Sequence, residues 1–252
     1  MLLRRITEHV KEQNWFAVGI DFFIVVIGVF IGIQVANWNE ARSDQKRADG
    51  YLERLTEDLV INQRTLSSRQ DSYAAQIAYG AFALNSRSSP TDREAAWKII
   101  HAYFQASHTF TIALKRGTYD EIISSGDLAL LDDQNLVNAL SEFYTFSGFS
   151  TIQVIPDYRE NIRRIIPFEM QDYLQSECYE IIAPDTHYLL DCRPLETFDN
   201  LVVLATELRA DEDLNRDLEY MLSYAGVSTD IAGNRQGRAE DVLELLEARR
   251  AD

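Results

Sequence analysis

The chain has 252 residues, 46% of them apolar and 25% charged, with 40 acidic against 24 basic residues and a net charge of −16. This is a globular composition, neither disordered nor low-complexity, and the length allows one sizeable domain with appendages. An acidic chain repels phosphate backbones, so nucleic acid is excluded as an expected partner and the charge is read as serving solubility.

The first 14 residues, MLLRRITEHVKEQN, place Leu2, Leu3, Ile6 and Val10 on one helical face. They predict a short cytoplasmic amphipathic segment, 1–14, lying on the inner membrane surface. Arg4, Arg5 and Lys11 balance Glu8, Glu12 and Asp21, so the acidic excess lies beyond residue 39.

From Trp15 to Ala36, 22 residues, the only ionisable side chain is Asp21, and 22–33 has no polar side chain at all. As a helix this run reaches roughly 33 Å, enough for a hydrocarbon core of about 30 Å. Trp15 and Trp38 bracket it as interfacial aromatics do. A buried core helix is usually shorter, and cleavage after Ala36 would put bulky Gln34 where a signal peptidase wants a small residue. Residues 15–38 therefore read as an uncleaved transmembrane helix. At about 100° per residue, Asp21, Val25, Gly28, Gly32 and Val35 fall on one stripe, and Gln34 points to the opposite side. Gly28 and Gly32 form a GxxxG element, which lets helix backbones approach. Two expectations stay open here: packing against a second copy or a partner span, or glycine that is merely common in membrane helices.

Basic residues flank the span on both sides, so they do not orient it. The cysteines do. Cys178 and Cys192 are the only two, in CYEIIAPDTHYLLDC, with Pro184-Asp185 suggesting a turn between them. A disulfide is expected, over unrelated thiols or a weak metal pair with His187, because zinc sites usually need four ligands. Disulfides persist in oxidising compartments, which places the body 39–252 outside the cytoplasm.

In that body Leu52, Leu59, Leu66 and Tyr73 repeat every seven residues, with Leu55 between the first two. The other seam positions, Asn62, Arg69 and Gln76, are polar, which favours a bundle helix over a long two-stranded coil. The membrane helix is expected to run into it almost continuously, to about Leu84. Thr91-Asp-Arg-Glu94 reads as a capping box, opening a helix with Trp97, Ile100 and Phe104 on its apolar face. Gly117 and Gly126 bracket a short helix, and Gly126 suits the left-handed position after a helix end. Asp132 or Asp133 can cap the next helix, and Pro156 and Pro167 limit helices between 151 and 175. Residues 198–209, 214–224 and the amphipathic AEDVLELLEARR are predicted helical. Strand alternation is short and confined to the region of Tyr188–Leu190. The expected fold class is all-α: a single N-terminal transmembrane helix continuing into an exported antiparallel helical bundle.

Two stretches carry a resemblance. GIDFFIVVIGVFIGIQVANWNEARSD resembles the N-terminal signature of an uncharacterised family of bacterial single-pass membrane proteins, in which an acidic residue precedes a Val-Val-Ile-Gly core and a terminal Gln-x-x-Asn-Trp-Asn-Glu. TYDEIISSGDLALLDDQNL resembles its second block. Asp21 stands where Glu is commoner in the family, which keeps the carboxylate. The resemblance implies membrane anchoring in a bacterium; it supplies no reaction or ligand.

Four histidines exist, His9, His101, His108 and His187. His101 and His108, seven apart, would share a helical face, but packing is the simpler role and no metal motif accompanies them. Ser107-His108 lacks a nucleophile elbow, and SSGD at 124–127 lacks phosphate-loop spacing. No cofactor and no catalytic residue is expected. The functional expectation is a membrane-anchored interaction, scaffold or sensor protein of the bacterial inner membrane, N-terminus cytoplasmic and C-terminal domain periplasmic. Its expected partners are the lipid bilayer and a homodimer or membrane-protein mate. The alternative is a membrane-tethered hydrolase or metal-dependent enzyme, which would need a pocket of convergent polar groups with perturbed protonation.

Overall fold

The computed structural model describes residues 15–86, 89–145, 156–183 and 186–251. The amphipathic segment 1–14 and the Pro184-Asp185 turn lie outside these residues, and the side chains of Trp15 and Asp21 are not among those described. The described residues form eight α-helices and one two-stranded sheet. These are α1 (Trp15–Asn85), α2 (Arg93–Gln105), α3 (Gly117–Ser125), α4 (Gln134–Thr145), α5 (Asp157–Ile165), α6 (Phe168–Glu177), β1 (Tyr179–Ala183), β2 (Thr186–Leu189), α7 (Leu201–Ala210) and α8 (Glu212–Ala251), with a 3-10 turn at Asp127–Leu131. The fold is all-α, as the helical periodicities predict.

The chain divides into two compact units, Met1–Leu52 and Glu53–Asp252. The described part of the first unit is helix alone. It contains an apolar window long enough to cross a membrane, and none of that window is buried among the described residues. Phe22, Phe30 and Val35 are all exposed, as are Val25 and Trp38 of the predicted packing and interface residues. A core helix of a soluble protein hides such a face; this one does not. The Arg42 guanidinium lies 5.6 Å from the Trp38 ring centre, a cation–π contact that holds the indole next to a charge.

In the second unit α1 presents Leu55, Leu59, Leu66 and Tyr73 to the core. The polar seam residues are buried too, and each bonds to the irregular segment 106–116. Asn62 Nδ2 donates to the Lys115 carbonyl at 2.8 Å, and its Oδ1 accepts from the Lys115 N–H at 2.6 Å. Arg69 Nε donates to Thr111 O at 2.8 Å. Gln76 Nε2 donates to Ala106 O and His108 O, both at 2.8 Å. Residues spaced by seven on a helix rise about 10.5 Å, near the length of three to four extended residues, so the two backbones keep step. A segment without its own ladder thus finds partners for its buried backbone groups.

The C-terminal helix is longer than predicted. Residues 214–224 and the final amphipathic stretch belong to one helix of 40 residues, α8, which runs straight through Gly226, Gly233 and Gly237. Glycine costs a helix interior only about 1 kcal/mol each, and packing compensates for it. The buried residues Leu214, Leu218, Met221, Ala225, Ser228, Ala232, Arg235, Ala239, Val242 and Leu246 alternate by four and three, a continuous seam. Gly80 of α1 lies against Leu222, and Gly233 of α8 lies near Gln70, so the two helices run antiparallel here.

Helix ends follow local chemistry. Gly126, at φ 75°, closes α3 in the left-handed conformation, as its position predicts. Asp133, rather than Asp132, caps α4 by accepting from Asn135 N at 2.8 Å. The predicted capping box shifts by one residue: Asp92 is the N-cap of α2, its Oδ1 accepting from Ala95 N at 2.8 Å. Its carboxylate is a stronger acceptor than the Thr91 hydroxyl. Pro156 and Pro167 sit immediately before α5 and α6.

β1 and β2 pair antiparallel, with Tyr179 opposite Leu189 and Ile181 opposite His187. The hairpin is longer than the sequence suggests because exposed Ile181 and Ile182 break the alternation that marks a half-buried strand.

Candidate aromatic pocket at the disulfide

Cys178 and Cys192 are joined by a disulfide with Cα atoms 5.3 Å apart. It closes the base of the β hairpin, where Leu190 N donates to Cys178 O at 2.9 Å. Helix α2 reads this base with three side chains at i, i+4 and i+8, a spacing that puts them on one face. Trp97 Nε1 donates to Cys192 O at 2.9 Å. His101 Nε2 lies 2.8 Å from Leu190 O. Gln105 Nε2 donates to Cys178 O at 2.6 Å and to Leu190 O at 3.1 Å. Three carbonyls at the hairpin base thereby accept from α2, and the disulfide is held against that helix.

Beside this clamp opens a pocket of about 820 Å³. Its wall is Tyr79, Phe82, Trp97 and His101, with Cys192 and Pro194 opposite. Its rim carries Arg93, Lys98 and Arg193 against Glu94, Asp191 and Glu196, so the formal charges cancel. Tyr79 packs edge-on to His101 with ring centres 5.1 Å apart, and Trp97 packs edge-on to Tyr173 at 5.8 Å. Tyr79 Oη donates to Asp191 Oδ1 at 3.0 Å.

Burial lowers the His101 pKa, outweighing the opposing Leu190 carbonyl and Asp191 carboxylate. A neutral imidazole whose Nε2 faces a carbonyl must carry its proton there, which leaves Nδ1 as the acceptor. Burial, then the Asp191 carboxylate, push the Tyr79 hydroxyl well above its ordinary value, so it remains a donor. The wall and rim include no serine, threonine or free thiol, since both cysteines are oxidised.

The histidines part company in the fold. α2 ends at Gln105, and His108 N turns back to Gln105 O at 3.3 Å, so His108 leaves the helical face that His101 keeps. His101, rather than His187, is the histidine near the cysteines: its ring nitrogen and the two sulfurs all lie within 4.8 Å of one another. Bonded to each other, the sulfurs are not thiolate ligands, which a metal site requires. His187 instead bonds to the Tyr179 hydroxyl through Nδ1. Tyr79, Gln105 and Asp191 were not singled out by sequence reasoning. The Trp97, His101 and Gln105 spacing on α2 was the legible signal.

The stripe Val25, Gly28, Gly32 and Val35 belongs to the first unit and is uncovered: a Cβ built at Gly28 or Gly32 meets nothing within 4 Å. Comparison with known protein families, with curated proteins and with solved structures finds no match.

Proposed function

We propose that this chain is a membrane-anchored sensor, whose exported helical body binds a small ligand in the aromatic pocket at the disulfide. The observation carrying this reading is the pocket itself, together with an N-terminal helix whose apolar window is not buried among the described residues. Aromatic walls with a few placed polar groups are what small-molecule sites use. The balanced rim favours an uncharged or zwitterionic ligand with an apolar body. The disulfide supports an oxidising compartment, hence a periplasmic body and a cytoplasmic N-terminus. Self-association or a partner span at the Gly28–Gly32 stripe is part of the proposal, as a route for passing binding at the pocket to another protein.

The alternative, a tethered hydrolase or metal enzyme, has the pocket it requires. It has less support from the groups lining it: a tyrosine pushed away from deprotonation, a histidine tied to a backbone carbonyl, and oxidised sulfurs. The test uses the full chain in nanodiscs, screened against small aromatic and amphipathic compounds by thermal unfolding. The expected result is saturable stabilisation by a compound that is recovered unchanged, and its loss in Phe82→Arg. Conversion of the bound compound to a product would favour the enzyme reading.

A further inference from the structure

On the other side of the hairpin lies a second constellation, of opposite electrostatic character to the chain as a whole. Arg159 and Arg163 stand at i and i+4 on α5, on one face of a nine-residue helix. Like charges so placed repel, and the arrangement needs compensation. Arg159 Nη1 donates to Ser107 O at 2.9 Å. The Arg163 guanidinium lies over the Phe104 ring with its Cζ 4.3 Å from the centre. Phe104 meets His108 edge-on at 5.5 Å, and His108 stacks on Tyr179 at 4.6 Å.

Among the groups acting on these side chains are the two arginines themselves. His108 is held far below its ordinary pKa by burial, then by Arg163, Arg159, His187 and His101. Arg163 is brought down to about 10 by burial and by Arg159, against the opposing pull of Tyr179. Tyr179 is raised by burial, against the pull of Arg69, Arg159 and Arg163. No carboxylate figures among the described influences on Arg159, Arg163, His108 or Tyr179, in a chain with 40 acidic residues.

Two buried polar sets are left over. Arg163 Nε and Nη2 are enclosed and have no hydrogen-bond partner among the described residues, and the same holds for His108 Nε2. His108 is only 4% exposed. Nε and Nη2 form one edge of the guanidinium, two parallel N–H groups in the fork that takes a carboxylate or phosphate side-on. A buried fork one helical turn from a second arginine is costly without an acceptor.

We propose that Arg163, supported by Arg159 and His108, forms a binding site for a small oxyanion, whose two oxygens dock on the Arg163 Nε–Nη2 edge. The occupant is either a free inorganic ion or the carboxylate of an organic ligand; both present the same paired oxygens. Chloride offers one centre, meets the two parallel N–H groups only at bent angles, and is expected to bind more weakly than paired oxygens.

The full chain in nanodiscs, exchanged into chloride buffer at fixed ionic strength, is titrated separately with phosphate, sulfate and acetate by calorimetry. Thermal unfolding is followed in parallel. Saturable binding of at least one oxyanion is expected, with a rise in the unfolding midpoint that added chloride does not reproduce. Phosphate or sulfate binding identifies an inorganic-type occupant, and acetate binding alone identifies a carboxylate. Arg163→Lys keeps the charge but removes the fork, and should lose affinity tenfold or more. Arg164→Gln, on the exposed neighbour, should bind as the parent does. Wild-type chain is also treated with phenylglyoxal and mapped by mass spectrometry; the bound oxyanion should protect Arg163, a readout that needs no variant. Absence of saturable binding by all three oxyanions overturns the proposal. So does equal affinity in Arg163→Lys, or an equal effect of chloride.

Discussion

The Tyr79 hydroxyl reaches Asp191 Oδ1 at 3.0 Å and so ties the long first helix to the residue preceding Cys192. This bond spans 112 residues of sequence and forms one edge of the aromatic pocket. Asp191 is exposed, so water can replace the tyrosine. Tyr79→Phe is expected to cost only about 0.5–1.5 kcal/mol in urea unfolding while loosening the pocket wall. A loss well above that range would mean that the hydroxyl holds more than Asp191.

The buried histidines set an acid limit on stability. His101 and His108 are both lowered below the ordinary histidine value of 6.5, chiefly by burial. As pH falls through about 6.5, histidines of the unfolded chain take up protons before the folded ones do. The stability contributed by keeping them neutral is full above that pH and is lost below it. Urea midpoints should therefore fall between pH 7.5 and 5.5, and His108→Gln should flatten that dependence. A midpoint that rises on acidification across this window would contradict the burial assignment.

Asn62 links sequence pattern to structure most directly. It is fully buried on the α1 seam and bonds both the N–H and the C=O of Lys115. Asn62→Leu leaves both backbone groups without a partner and should destabilise by roughly 1–3 kcal/mol. A leucine that stabilises there, as in an ordinary coiled-coil seam, would show that segment 106–116 does not depend on the ladder.

These residues also show how much was legible. The α1 seam, the Gly126 cap and the proline boundaries follow from spacing and backbone chemistry, and all are present. The unbroken α8 was not readable, because Gly226, Gly233 and Gly237 weaken local propensity and only tertiary packing outweighs them. Nor was the pocket, whose wall draws on Tyr79, Trp97, His101 and Asp191 from distant parts of the chain. Periodicity assigns Asn62, Arg69 and Gln76 to the seam, but it does not show that an unladdered segment lies opposite. The cysteine pair was legible because one turn separates its members.

Glycines in the two units should respond in opposite ways. A Cβ at Gly80 would collide with the Leu222 side chain, so Gly80→Val is expected to cost about 1–3 kcal/mol through overpacking. Gly28 and Gly32 face open space, so Gly28→Ile with Gly32→Ile should leave the folding of the second unit intact. Cross-linking in membranes should nonetheless fall if the stripe packs against another span, because isoleucine separates the backbones. Undiminished cross-linking would reduce the segment to a plain anchor.

The most direct test of an anchored, exported body uses the two cysteines in living cells expressing the full chain. A membrane-impermeant maleimide is applied to intact cells with and without an external reductant, and membranes are then extracted at alkaline pH. The account predicts that the chain stays in the membrane pellet. Cys178 and Cys192 should be labelled only after reduction, without any need to permeabilise the inner membrane. Release by alkali, labelling without reductant, or labelling only after inner-membrane permeabilisation would contradict it.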